Sequence, residues 1–324
     1  MCIALFSTAH PEYALILINN RDEFLTRPTA PANWWVSPND NVLGGRDLQR
    51  KEQGTWLGIT KQGRIAVLTN FREEGAIKPE ARSRGAMVNA FLTQPPQSSN
   101  GTEKFVHDLV EDEGLKGVGG FILVCGKVGE PLAVISNRTP NVEDTTWIAK
   151  DKGETIGLSN AALGNRSWPK VIRGEALLSS AIKQNLSEQK CQASFTKHLF
   201  RILGDDTLPR RPKDYSWDSS VQELRKSIFI PAIGGEGAER SRAEDLAAAK
   251  SDQHVNVENG TKAAETKHDL DGVYGTQKQT VVLVDRRGRV TFVERTLYDA
   301  TSKATVALDR DRAFQFDIEG WEDP

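Results

Sequence analysis

The sequence predicts an α+β protein in which strands and helices come in blocks, and three observations carry that reading. The chain opens on two short apolar, β-branched runs at residues 1–7 and 13–19, separated by turn residues. A second such pair, at 280–284 and 290–294, flanks Asp285-Arg-Arg-Gly-Arg289 and is the clearest hairpin in the chain. Between the two pairs lie three stretches whose apolar residues recur at helical spacing.

Each element follows from its own residues. The first pair founds a sheet. If its turn lies at residues 9–11, antiparallel pairing sets residue 2 opposite residue 18 or 19, and Asn19, Asn20, Arg21 and Asp22 emerge beside Cys2. Residues 55–60 and 64–70 repeat the pattern around Lys61-Gln-Gly63, and 120–125, 132–136 and 154–160 are further strands. Phe105, Leu109 and Val110 share one helical face. Ile172, Leu178 and Ile182 share another, behind a Ser167 cap with Pro169 in the first turn, and Phe195, Leu199, Ile202 and Leu203 make a third. Residues 234–271 are rich in Gly, Ala, Glu and Lys and hold no aromatic residue, so burial cannot offset their ordering entropy. They are expected to form a disordered insertion, after which order resumes at Tyr274.

Composition narrows the function classes. In 324 residues, 42 basic side chains face 44 acidic ones, leaving a formal charge of -2 without the basic excess of a nucleic-acid binder. The first twenty residues lack a basic leader region, and their apolar runs are too short and interrupted for a signal peptide or a membrane span. Cys2, Cys125 and Cys191 are odd in number and have no CxxC spacing, which argues against a disulfide framework and a zinc site and for a reducing compartment. No metal and no cofactor are expected.

Cys2 is the residue with the most chemistry available to it. Removal of Met1 would leave a cysteine whose thiol and free α-amine belong to one residue, so nucleophile and base coincide. An α-amine titrates near ~7.7–8.0 and a thiol near ~8.5, close enough to exchange a proton at neutral pH without a histidine. Taken alone, Cys2 reads better as an incidental small residue opening a strand. The hairpin brings it polar company: Arg21 to lower the thiol pKa or hold a carbonyl, Asp22 to orient the ammonium, and an asparagine to donate to an oxyanion. Two other strands, Val67-Leu-Thr-Asn70 and Gly157-Leu-Ser-Asn160, run apolar residues into a hydroxyl and then an asparagine, a poor strand former and a good donor. Either asparagine alone reads as well as the start of a turn.

An ordered series of motifs spans nearly the whole chain: Met1-Cys-Ile-Ala, Asn20-Arg-Asp-Glu-Phe24 with Arg27-Pro28, Gly44-Gly-Arg-Asp47, Gly54-Thr-Trp-Leu-Gly58, Leu68-Thr-Asn-Phe-Arg72, Gly157-Leu-Ser-Asn160, Trp168-Pro-Lys170 and Tyr274-Gly-Thr276. The series resembles the NRDE family, also called the transport and Golgi organisation protein 2 family. The resemblance implies one domain over 1–324 with an N-terminal-nucleophile-hydrolase-like fold, an αββα sandwich of two stacked antiparallel sheets between helical layers. It implies Cys2, Arg21, Asp22, Asn70 and Asn160 as catalytic residues, with Asn20, Arg46 and Arg72 binding substrate. Two departures stand out. In the related choloylglycine and penicillin V acylases an arginine and an aspartate lie three residues apart, whereas Arg21 and Asp22 are adjacent, and Gln277 stands where family members often carry arginine.

Three functions compete. The first is a cysteine amidohydrolase or thioesterase on a small acyl compound. The second is a non-catalytic carrier that uses the same cleft for acyl-coenzyme A, lipid or haem and supports membrane traffic. The third is an interaction partner of secretory-pathway proteins, which residues 234–271 would serve as an exposed segment. The implied location is the cytoplasm, with Golgi or mitochondrial association left open.

Overall fold

The computed structural model describes residues 1–71, 82–95, 101–111, 115, 117–209, 222–233, 272–298 and 311–322. Residues 234–271, expected to form an insertion, lie outside the described residues, as does Arg72.

Two antiparallel sheets form the centre. The first has six strands in the order β10 (Thr155–Leu158), β1 (Ile3–Ser7), β2 (Tyr13–Phe24), β11 (Tyr274–Asp285), β12 (Arg289–Thr296), β13 (Arg312–Asp317). The second runs in chain order: β3 (Thr29–Trp34), β4 (Val42–Asp47), β5 (Leu57–Thr60), β6 (Arg64–Asn70), β7 (Phe121–Lys127), β8 (Leu132–Ser136), β9 (Thr146–Ile148). The two expected hairpins are therefore β1–β2 and β11–β12, and they join through β2 against β11.

Alternation along the strands explains the stacking. Leu15 and Leu17 of β2 face Leu57, Ile59, Ile65, Val67 and Val124 of the other sheet, while Ile16 and Ile18 face outward. That outer face is covered by α3 (Pro169–Glu188) and α4 (Gln192–Leu203), through Leu178, Ile182, Phe195 and Leu199. The outer face of the second sheet, with Ala66, Leu68, Leu123 and Cys125, is covered by α1 (Arg84–Leu92) and α2 (Thr102–Glu111). Helices, sheet, sheet, helices: the chain is an αββα sandwich. Each fully buried Ile, Leu or Phe contributes about 1.5–3 kcal/mol to holding the layers together.

The structure corrects three local expectations. The β1–β2 register pairs Ile3 with Asn20, so residue 2 falls opposite Arg21 rather than residue 18 or 19. The reason is Thr8, which leaves the hairpin to bond Glu154 (3.0 Å from its N–H) and Gly153, moving the turn on to the His10–Tyr13 hydrogen bond. Helix α3 starts at Pro169 behind Trp168, and Ser167 is not its cap. Ile172 is 38 % exposed, because the stripe through Leu178 and Ile182 continues back through Gly174 and Val171, one helical turn and two turns earlier. Gly174 fits there because a Cβ would stand 2.9 Å from the Leu5 methyls.

Strand β10 is an outer strand of the first sheet. Its Gly157 N–H donates to Glu175 Oε1 of α3 at 2.9 Å, and the other carboxylate oxygen of Glu175 takes Arg166 at 3.0 Å. No helix among the described residues is long and apolar enough to cross a membrane.

Candidate active site

Cys2 sits just ahead of β1, between β10 and β2. The β1–β2 register carried one residue past Ile3↔Asn20 sets Cys2 opposite Arg21, and the β1–β10 register carried past Ala4↔Leu158 sets it opposite Asn160. Ser159 Oγ donates to the Cys2 carbonyl at 2.5 Å, closing the strand pair beyond its last ladder residue. The thiol is half-buried and points to the Asp22 carbonyl at 3.6 Å.

Asp22 is the hub of the site. Thr276, its partner across the β2–β11 ladder, donates through Oγ1 to Asp22 Oδ1 at 2.7 Å. Oδ2 faces the Met1 ammonium at 3.2 Å and Lys170 Nζ at 3.9 Å. The Met1 ammonium also donates to the Tyr274 hydroxyl, Lys170 Nζ donates to the Met1 carbonyl, and the Tyr274 hydroxyl donates to the Asp22 carbonyl at 3.2 Å. Lys170 is wholly buried at the second position of α3.

Arg21 points the other way along β2, toward the space between the sheets. The β2–β11 register skips between Thr276 and Lys278, a bulge whose extra residue is Gln277. The bulge turns the Gln277 side chain onto Arg21, whose guanidinium donates to Gln277 Oε1 and lies 4.5 Å from the Trp56 ring centroid. Glu23 stands 3.8 Å away as the nearest carboxylate. Gln277 thus serves Arg21 as a neutral acceptor.

The remaining expected residues divide. Asn160 is buried, and its Nδ2 donates to the main-chain carbonyl of Asn70 at 2.6 Å. Asn70 therefore enters the site through its backbone. By strand alternation its side chain shares the α1-facing side of β6 with Ala66 and Leu68. Asn20 faces the opposite layer, donating to the carbonyls of Leu203 and Ile228 at 2.8 and 2.9 Å, where it ties α4 and the 222–233 segment to the sheet. Arg46 lies over the Trp35 ring at 4.1 Å and donates to the Gln53 carbonyl. Neither Asn20 nor Arg46 has a contact with Cys2 among the described residues.

Electrostatics set the protonation balance. Burial is the largest influence on Cys2 and pushes its thiol up from the ordinary value; the ammonium pulls it down, Asp22 pushes it up, and Arg21 pulls it down least. Burial likewise lowers the Met1 amine against the pull of Asp22, and lowers Lys170 against Asp22. The surroundings therefore favour a neutral thiol beside an amine that gives up its proton more readily than usual.

Sequence reasoning missed Lys170, Ser159 and Tyr274 as working residues, although all three lie inside quoted motifs. A lysine directly after the proline that starts an apolar helix was the available signal. No cluster of three or more metal-ligating side chains occurs among the described residues. Beside the site, a cleft of about 310 Å³ is lined by Leu158, Ala161, Leu163, Trp168 and Val171, with Arg166 and Glu175 among its polar residues.

Comparison with known proteins gives a consistent result. The family model for Transport and Golgi organisation 2 matches residues 1–299. The Transport and Golgi organization protein 2 homolog of Bos taurus is 30% identical over 309 residues, 92% of this chain and 93% of that protein. The homolog of Mus musculus is 28% identical over 315 residues, 92% and 94% of the two chains. Among solved structures, a Caenorhabditis elegans N-acylethanolamine-hydrolyzing acid amidase ortholog aligns with a TM-score of 0.42 at 13% identity, covering 70% of this chain and 98% of that one.

Proposed function

This chain belongs to the Transport and Golgi organisation 2 family, and from that premise we propose that it is a cysteine amidohydrolase or thioesterase whose nucleophile is Cys2 with Met1 removed. The observation that carries the reading is the setting of Cys2: a half-buried thiol 3.6 Å from the Asp22 carbonyl, at a strand end flanked by the buried side chains of Asp22, Lys170 and Asn160. The α-amine that Met1 removal frees on the same residue takes the thiol proton as Sγ attacks an acyl carbonyl. Lys170 Nζ is at hand for the oxyanion, as is the second N–H of Asn160, since its amide carries two donors and only one is spent on Asn70. The amine, now an ammonium, returns its proton to the leaving amine or thiol, and water then hydrolyses the Cys2 thioester. Arg21, held by Gln277, Trp56 and Glu23, shapes the far side of the site.

The test is turnover of acyl amides and acyl thioesters by the chain that starts at Cys2, its start verified by intact mass. Release of product by that chain, and none by Cys2→Ala, is the expected result. Equal release by both variants would defeat it.

A second reading is favoured by the apolar cleft beside the site rather than on it: a carrier that holds the hydrocarbon of an acyl-coenzyme A or lipid, or a haem, along Leu158, Leu163 and Trp168. Saturable binding of such a ligand by Cys2→Ala, without any turnover by the native chain, would select it. Either activity fits a place in membrane traffic at the Golgi, which is what the relatives' name suggests for this chain.

A further inference from the structure

Met1 occupies a site that reads every feature of an α-amino acyl group. Its ammonium faces Asp22 Oδ2 at 3.2 Å and donates to the Tyr274 hydroxyl. Its carbonyl oxygen accepts from Lys170 Nζ. Its side chain packs against two apolar clusters at once: Ala161, Trp168 and Val171 on one side, Leu224, Ile230 and Tyr274 on the other. These groups come from β2, β11, the segment between β10 and α3, α3 itself and the 222–233 segment, and the side chains of Asp22 and Lys170 are wholly buried. Chain termini fray unless something holds them. Here the holding groups are matched in kind to an ammonium, a carbonyl and an unbranched apolar side chain.

The position of the site relative to the thiol gives this match a chemical meaning. The Met1 carbonyl carbon is bonded to the Cys2 nitrogen, so it lies next to both the amine that Met1 removal would free and the thiol on the same residue. An acyl group held in that site, set back from the freed Cys2 amine to non-bonded contact, would bring its carbonyl up to the residue that carries the thiol.

Resting on the reading of Cys2 as nucleophile, we propose that in the chain starting at Cys2 the site vacated by Met1 is the acyl-side subsite, and that it selects amides or thioesters of α-amino acids with unbranched apolar side chains. In the step implied, the Sγ–C bond forms and the C–N or C–S bond breaks. The thiol proton passes through the Cys2 amine to the leaving group, and water releases the free amino acid. A plain fatty acyl group brings no ammonium of its own to Asp22 Oδ2, which is buried with Lys170 at 3.9 Å. A site built around a hydrogen-bonding group discriminates strongly against the analogue that lacks it.

Calorimetric titration of the full chain without Met1 tests this, using L-methioninamide, its N-acetyl derivative and the analogue lacking the amine. Cys2→Ala, also starting at residue 2, removes turnover from the measurement. The expected result is binding of L-methioninamide at least ~100-fold tighter than either analogue, with no binding of any of the three to chain that retains Met1. Equal or tighter binding of an analogue would overturn the proposal, and would mean that Asp22 is taken up by the Cys2 ammonium. Absence of binding by all three would overturn it too. The two readings separate cleanly: turnover of plain acyl substrates with no preference for a free amine sinks the subsite and keeps the nucleophile, while selective binding without turnover keeps the subsite and sinks the nucleophile.

Discussion

Lys170 and Asp22 approach each other to 3.9 Å with both side chains wholly shielded from solvent. Lys170 faces Asp22 as its carboxylate, Asp22 also faces the Met1 ammonium at 3.2 Å, and a buried charge that loses its partner costs far more than the pair returns. Lys170→Met is therefore expected to destabilise the chain by about 3 kcal/mol. Asp22→Asn should cost a similar amount, and the double variant clearly less than their sum. Chemical denaturation of the four proteins gives the coupling; strict additivity would show that the two residues do not act as a pair.

Cys2 should titrate late. Burial disfavours the thiolate and outweighs the ammonium, so in chain retaining Met1 the pH midpoint of iodoacetamide labelling should lie above that of a cysteine in an unfolded peptide. Asp22→Asn removes a negative charge that opposes ionisation and should bring the midpoint down. Arg21→Ala removes a favourable positive charge and should move it slightly up. Cys125, wholly buried and with its thiol also pushed up by burial, should stay unlabelled until the chain unfolds. A Cys2 midpoint at or below the peptide value would contradict the burial argument.

A second buried pair fastens the two sheets. Lys278 Nζ lies 3.6 Å from Glu294 Oε1, and that same oxygen accepts the Ala32 N–H of β3 at 2.8 Å. Glu294→Ala takes the facing carboxylate from Lys278, which keeps Thr296 Oγ1 at 2.8 Å, and leaves the Ala32 amide without its acceptor, so it should cost about 3 kcal/mol, whereas Glu294→Gln keeps the amide's partner and should cost less. Melting temperatures that fall equally for both would assign the effect to packing instead.

Residues 234–271 should be replaceable by a short Gly-Ser linker. Their flanks are already joined, since Ile233 and Tyr274 exchange two main-chain hydrogen bonds of 2.8 Å each. Shortening the connection by about three doublings of length lowers its closure cost by about 2 kcal/mol. The melting temperature should hold or rise slightly, and a large fall would mean that the segment contributes to the core.

The sequence made most of the sandwich legible because its central strands announce themselves. Residues 64–70 and 132–136 match β6 and β8, and both hairpins form. What escaped was the periphery. Strand β3 carries Pro31 and Asn33, and β4 carries Gly44 and Gly45, all poor strand formers locally. Gly44 is there because a Cβ would stand 2.6 Å from the Leu57 carbonyl, a contact set by the fold and invisible in the local pattern. At the site, adjacency along the hairpin placed Arg21 and Asp22 near Cys2. It could not tell that alternation sends Arg21 between the sheets and Asn20 to the helical layer. Lys170 was only half legible for a different reason: a lysine after the proline that opens a helix marks the position, but nothing local states that it will be buried against residues 1 and 22.

The contact between Glu175 and the Gly157 amide has a consequence for how copies of this chain meet. An unpaired strand border invites another polypeptide to zip onto it. On β10 a newcomer would have to evict a carboxylate that is already hydrogen-bonded and paired with Arg166. On the far border, β13 offers Arg312 and Asp317, and the neighbouring ion pairs Arg289–Asp317 and Arg295–Asp311 line the approach. Among the described residues, then, neither rim of this sheet is a bare ribbon. Glu175→Ala would unmask one of them and should raise side-by-side association above that of the native chain.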